Sequence, residues 1–134
     1  MNEQSKKYTL LIVEDEVSLR KALVDKFTHD GFMVHESVNG VVGLATALHE
    51  HPDIILLDIV MPRMDGMTML KKLRETNEWG KHVPVIILTN LTSDDEARAR
   101  DITELEPAYY LVKTDWKLED LVAKVRERLE TPHS

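Results

Sequence analysis

Apolar residues gather into five short runs along the chain: Tyr8 to Val13, Phe32 to Val38, Ile54 to Leu57, Val83 to Leu88 and Ala108 to Val112. The first, third and fourth are almost unbroken, as expected of central parallel strands covered on both faces, whereas His35, Glu36 and Ser37 interrupt the second like an edge strand. Helical spacing fills the intervals. Leu19, Leu23 and Phe27 recur every four residues, and Gly31 stands where a left-handed cap would end that helix. Asn39-Gly40 opens a second helix that must stop before Pro52, and Asp65-Gly66 opens a third carrying Met67, Leu70 and Leu73 inward. A fourth, from Ser93 or Asp94 to about Leu105, is densely charged and offers only Ala99, Ile102 and Leu105 to a core, so it should be the most weakly docked. Leu118, Leu121, Val122, Val125 and Leu129 form the stripe of the last helix, with Thr114 or Asp115 as its N-cap and Pro132 beyond its end.

Strict alternation of strand and helix predicts an α/β domain, a doubly wound (βα)5 unit with right-handed crossovers and a five-stranded parallel sheet. At 134 residues, one domain over residues 8–130 is expected, flanked by a poorly ordered segment 1–7 and a tail 131–134. The 43% hydrophobic content supports a core, and no apolar run approaches the roughly 18 residues of a membrane span. No cysteine is present, which removes disulfides and thiolate metal sites, and the polar start lacks a signal peptide's apolar stretch, so a cytoplasmic location is expected. With 17 Lys and Arg against 24 Asp and Glu, the net charge of −7 disfavours direct nucleic-acid binding. Nothing beyond Leu129 is long enough to build a separate DNA-binding unit.

In open sheets of this class, ligands bind beyond the carboxyl ends of the strands. There the pattern places Glu14-Asp15, Asp58, Thr89-Asn90 and Lys113. Three carboxylates held together repel one another unless a hard cation such as Mg²⁺ neutralises them, and Lys113 adds positive charge. Taken singly, each such residue reads as a helix cap or a solvated side chain; their convergence on one solvated rim is what points to a site. His49 and His51, flanking Glu50 near a helix end, read as solvated surface, and Met61, Met64, Met67 and Met69 as loop and core filling.

The segments Leu11-Ile12-Val13-Glu14-Asp15-Glu16, Asp53 to Asp58 with Met61-Pro62 and Asp65-Gly66, Pro84 to Thr89, and Tyr110 to Lys113 resemble the response-regulator receiver domains of two-component (His-Asp phosphorelay) signalling. The resemblance covers nearly the whole chain. It implies the flavodoxin-like strand order 2-1-3-4-5 of chemotaxis receivers, which the apolar pattern alone does not dictate. It also implies a phosphoacceptor domain that catalyses its own phosphorylation and dephosphorylates slowly. Asp58 would be the nucleophile, taking a phosphoryl group from a histidine kinase, a histidine phosphotransfer protein or a small acyl phosphate. Asp15, Asp58 and the carbonyl of Val60 would hold Mg²⁺, with Glu14 reaching it through water, while Lys113 and Thr89 neutralise the phosphoryl oxygens. Thr89 and Tyr110 would be the switch. The signal would leave through the fourth helix, fifth strand and fifth helix toward a downstream protein, an attached output domain or a phosphorylation-dependent homodimer. The resemblance also marks Val60 and Leu91 as positions that would set the lifetime of the modified state.

Three departures from the family pattern stand out. Thr114 follows Lys113 where Pro with a cis bond is usual, and a cis bond before Thr would cost about 2.5–4 kcal/mol. Asn90 is larger than the very small residue favoured after Thr89, and Glu106-Pro107-Ala108 replaces Gly-Ala before the fifth strand. Two other functions compete. A Mg²⁺-dependent phosphohydrolase with an aspartyl nucleophile uses similar groups, but its general-acid Asp two residues after the nucleophile is here Val60. A pseudo-receiver that only binds a partner would differ in failing to react with acetyl phosphate. Glycines at 31, 40, 43, 66 and 80 form neither a dinucleotide fingerprint nor a P-loop.

Overall fold

A computed structural model of the chain describes residues 7–58, 64–89, 109–112 and 117–131. Strands β1 (Thr9–Val13), β2 (Met33–Ser37), β3 (Ile54–Asp58), β4 (Val85–Thr89) and β5 (Tyr109–Val112) form one sheet in the order β2-β1-β3-β4-β5. All four pairings are parallel. The broken second run is therefore an edge, and the unbroken runs lie at the centre.

Residue parity sends side chains to two cores. Leu11 and Val13, Ile55 and Leu57, and Val85 and Ile87 face one layer, where they pack with Ala47 of α2 (Gly40–Glu50) and Met69, Leu70 and Leu73 of α3 (Gly66–Thr76). Their neighbours Leu10, Ile12, Ile54, Leu56, Ile86 and Leu88 face the other. That side is closed by Leu23 and Phe27 of α1 (Val17–His29) and by Leu121, Val122 and Val125 of the helix Leu118–Glu130. Two-sided burial explains the continuous apolar runs. Truncating one such residue, as in Leu56→Ala, would cost about 2–5 kcal/mol by leaving a cavity.

Local signals set most boundaries. The Asn39 side chain accepts the Val42 N–H at 3.0 Å and the Asp65 side chain that of Thr68 at 2.9 Å, so both polar residues cap the helices they open. Gly31 has φ 98°, the left-handed geometry expected after α1.

Two features depart from the sequence reading. A short helix, α4 (Glu78–His82), precedes β4; Asn77 caps it by accepting the Gly80 N–H at 2.7 Å. The last helix, α5 (Leu118–Glu130), starts with Lys117 and not Thr114 or Asp115 at its N-cap. The Lys117 N–H donates to the Asp120 carboxylate at 3.0 Å, so the cap is drawn from inside the helix. The charged helix expected from Ser93 or Asp94 to Leu105 lies outside the described residues. Among the described residues, no helix is long and apolar enough to cross a membrane.

Candidate functional site

The strand order reverses between β1 and β3, so the crevice where such sheets bind ligands lies past their carboxyl ends. Glu14 and Asp15 follow β1 directly, and Asp58 is the last residue of β3. One carboxylate oxygen from each lies within 4.8 Å of the others. Among the described residues this is the one grouping of acidic or histidine side chains that could hold a metal ion.

Burial sharpens the electrostatics and corrects the expectation of a solvated rim. Glu14 is 0% and Asp58 3% exposed, with Asp15 more open than either. Like charges this close repel one another unless positive charge lies beside them. A divalent cation relieves that repulsion. Mg²⁺ takes oxygen ligands at about 2.1 Å in an octahedron, which sets neighbouring oxygens roughly 3.0 to 4.2 Å apart. Oxygens already within 4.8 Å of one another need only small rotations to meet that spacing. The donor set, all carboxylate oxygen, suits such a hard ion.

Backbone contacts fix the cluster. The Glu14 N–H donates to the Ser37 carbonyl at 3.1 Å, extending the β1–β2 ladder by one residue. Oε2 of Glu14 accepts the Glu16 N–H at 3.0 Å, which turns its carboxylate back over the start of α1. Across the crevice the Gly40 N–H donates to the Met64 carbonyl at 3.0 Å, tying α2 to the chain that returns from Asp58. Only glycine fits there, because an added Cβ would fall 2.2 Å from that carbonyl oxygen.

Thr89 closes β4 in register with Val112, and Tyr110 pairs with Ile87, so both belong to the same end of the sheet as Asp58. Lys113, Val60 and Leu91, with Asn90 and Thr114, lie outside the described residues. His49 is exposed and meets Glu50 at 2.6 Å, while the exposed His51 stacks on Trp79 at 4.2 Å, at the opposite end of the sheet from the carboxylates.

The sequence reading missed Arg20. It lies one residue past Leu19 in the apolar stripe of α1, where a charged side chain reads as solvent-facing. Instead its guanidinium turns back over β1 and reaches the carbonyl oxygens of Glu14 and Asp15. No spacing rule would have singled it out.

The chain matches the family model of the response regulator receiver domain over residues 10–126. It is 32% identical over 120 residues to the response regulator MprA of Mycobacterium sp. (strain KMS), covering 90% of this chain and 50% of that protein. Chemotaxis response regulator CheY4 of Vibrio cholerae is 26% identical, with a TM-score of 0.81 over 92% of this chain and 99% of that one. CheX-CheY-BeF3-Mg+2 of Borrelia burgdorferi gives 27% identity and a TM-score of 0.78 over 90% and 88%. The chain spans about half the length, or less, of the curated relatives it matches. With the parallel sheet in the order β2-β1-β3-β4-β5 and the carboxylates at its switch point, the chain belongs to the receiver domains of two-component response regulators.

Proposed function

We propose that Asp58 is the phosphoryl acceptor of this receiver and that Glu14, Asp15 and Asp58, with the Val60 carbonyl, hold Mg²⁺ beside it. One observation carries the reading: the three carboxylates converge within 4.8 Å at the point where strand order reverses. A structural neighbour of this fold, the Borrelia complex, contains both BeF3 and Mg²⁺, which supports the same use of this site. A carboxylate oxygen of Asp58 attacks phosphorus in line. The new P–O bond forms as the P–N bond to the donor imidazole breaks, and the imidazole leaves with its electron pair. When bound, Mg²⁺ supplies charge neutralisation at the phosphoryl oxygens. Lys113 and the Thr89 hydroxyl share that load, and burial of Asp58 strengthens each such interaction.

Thr89 then moves toward the phosphoryl group and the Tyr110 ring turns inward, which remodels the surface of the fourth predicted helix, β5 and α5 for a downstream protein, an attached output domain or a second receiver. The donor is a cytoplasmic histidine kinase or phosphotransfer protein. The domain acts as a switch, and its own groups catalyse both gain and slow loss of the phosphoryl group.

Intact mass after incubation with Mg²⁺ and acetyl phosphate tests the reading. One added phosphoryl group, mapped to Asp58 and lost on chelation of Mg²⁺ beforehand, is expected. No addition would favour a domain that only binds partners, and rapid turnover of acetyl phosphate would favour the phosphohydrolase. An unchanged Tyr110 rotamer in crystals with and without beryllium fluoride would overturn the switch.

A further inference from the structure

One side chain of α1 ties together the end of β1, the turn that carries Glu14 and Asp15, and the edge strand β2. Nε of Arg20 donates to Oε1 of Glu36 on β2 at 3.1 Å. Its NH1 group donates to the Glu14 carbonyl at 3.0 Å and reaches that of Asp15 at 3.5 Å. The Arg20 side chain is 15% exposed against 52% for Glu36, so the anchor sits at the surface and the fork points inward. The Arg20 N–H also closes the first turn of α1 on the Glu16 carbonyl at 2.9 Å. The same residue therefore spans the end of β1, the turn into α1 and the edge strand.

We propose that Arg20, braced by Glu36, is a positioning residue for the divalent cation. It fixes the backbone of the turn that presents Glu14 and Asp15, and thereby keeps their carboxylates aimed at Asp58. This rests on the reading that those three residues hold the ion. Consecutive ligands on a turn are as mobile as the turn, and a binding site loses affinity when its ligands must be ordered on binding. Outer groups that orient metal ligands matter for this reason. The guanidinium suits the task because its planar fork can engage a carboxylate and carbonyl oxygens in fixed geometry, which a lysine ammonium cannot. Charge alone argues the other way: a cation beside the cluster opposes Mg²⁺. The two effects of Arg20 therefore carry opposite signs and can be separated.

Mn²⁺ titration of the full chain, followed by the electron paramagnetic resonance signal of free Mn²⁺ and competed with Mg²⁺, separates them. Arg20→Lys retains the charge and loses the fork; affinity should fall about tenfold. Arg20→Ala should fall at least as far. Glu36→Gln, changed at the exposed end of the clamp, should weaken binding by a smaller factor, and its effect should vanish in the Arg20→Ala background. Parent-like affinity in Arg20→Lys overturns the inference, as does tighter binding by Arg20→Ala, the result expected if charge dominated. Should Arg20→Ala fail to fold, Arg20→Lys and Glu36→Gln decide, and unchanged affinity in either counts against the clamp. Asp58→Asn serves as the control for location. A parent that binds no Mn²⁺ overturns the metal reading itself, whereas a parent that binds while the Arg20 variants match it overturns only the clamp.

Discussion

Asp53 and Asp58 stand just before and at the end of the same strand, and the two ends of β3 put one side chain to opposite uses. At the amino end, Oδ2 of Asp53 accepts the Thr9 N–H at 2.8 Å while the Asp53 N–H donates to the Thr9 carbonyl at 2.8 Å. That carboxylate fastens β3 to β1. At the carboxyl end, Asp58 is buried against two more carboxylates. The first acid fastens two strands of the fold; the second is gathered with two other acids where a cation can be held. Buried clusters of acidic groups of this kind collect where chemistry is done. Position relative to the switch point, and not residue type, separates the two.

The comparison breaks most sharply at Asp58. Asp58→Asn should abolish phosphorylation by acetyl phosphate while raising the melting temperature of metal-free protein, since one of three mutually repelling charges is gone. Added Mg²⁺ should close that gap by stabilising the parent alone. Phosphoryl gain at the same site in the variant, seen by mass mapping, would show that the acceptor has been misassigned.

A second, smaller effect concerns what surrounds Asp58 after it is modified. On the proposed reading, hydrolysis needs a water in line behind phosphorus near the positions of Val60 and Leu91, whose aliphatic side chains can neither donate nor accept a hydrogen bond. Leaving that water poorly solvated is worth roughly 1–3 kcal/mol, or about 5- to 150-fold in rate. A Val60→Asn, Leu91→Glu double variant should dephosphorylate faster by a factor in that range. If its phosphoryl group lasts as long as the parent's, apolar shielding does not set the lifetime.

At the other end, Asp53→Ala should leave phosphorylation at the parent rate and lower stability by about 1–3 kcal/mol, because the Thr9 N–H loses its partner in a partly buried place. Urea denaturation reads the loss. A variant that phosphorylates slowly without losing stability would mean that the two ends of β3 are coupled and that the division of roles fails.

How far these roles were legible in the sequence depends on the range of the interaction. Asn39, Asp65 and Gly31 act within four residues, so their caps and turn were readable. The central strands were readable because both faces are buried, and the edge strand because its polar residues break the run. The convergence of Glu14, Asp15 and Asp58 followed once the runs were taken as parallel strands. Burial of Asp58 did not follow, since it depends on what packs over the strand end. Arg20 was missed because its partners come from the preceding strand end and from β2, 16 residues away. The helix α4 was missed because its five residues hold no apolar period. Its trace in the sequence was Asn77 followed by Glu78, a cap and an acidic first turn, with Trp79 packing on the core.

The smallest expected effect belongs to a third aspartate, whose place differs from both. Asp120 lies in the first turn of α5 and accepts the Lys117 N–H at 3.0 Å in an exposed position. It satisfies one of the donors that a helix start leaves open, and its charge is favourable near the positive end of the helix. Helix α5 does not depend on it, because Leu121, Val122 and Val125 are buried in the core beside α1. Asp120→Ala should therefore lower stability by only about 0.5 kcal/mol. In urea the midpoint should fall slightly with an unchanged slope, and acetyl phosphate should modify the variant as it does the parent. A loss as large as that of Asp53→Ala would mean that the start of α5 is pinned by this cap and not by its apolar stripe, and would place a structural aspartate at the carboxyl end of the sheet, against the division drawn between its two ends.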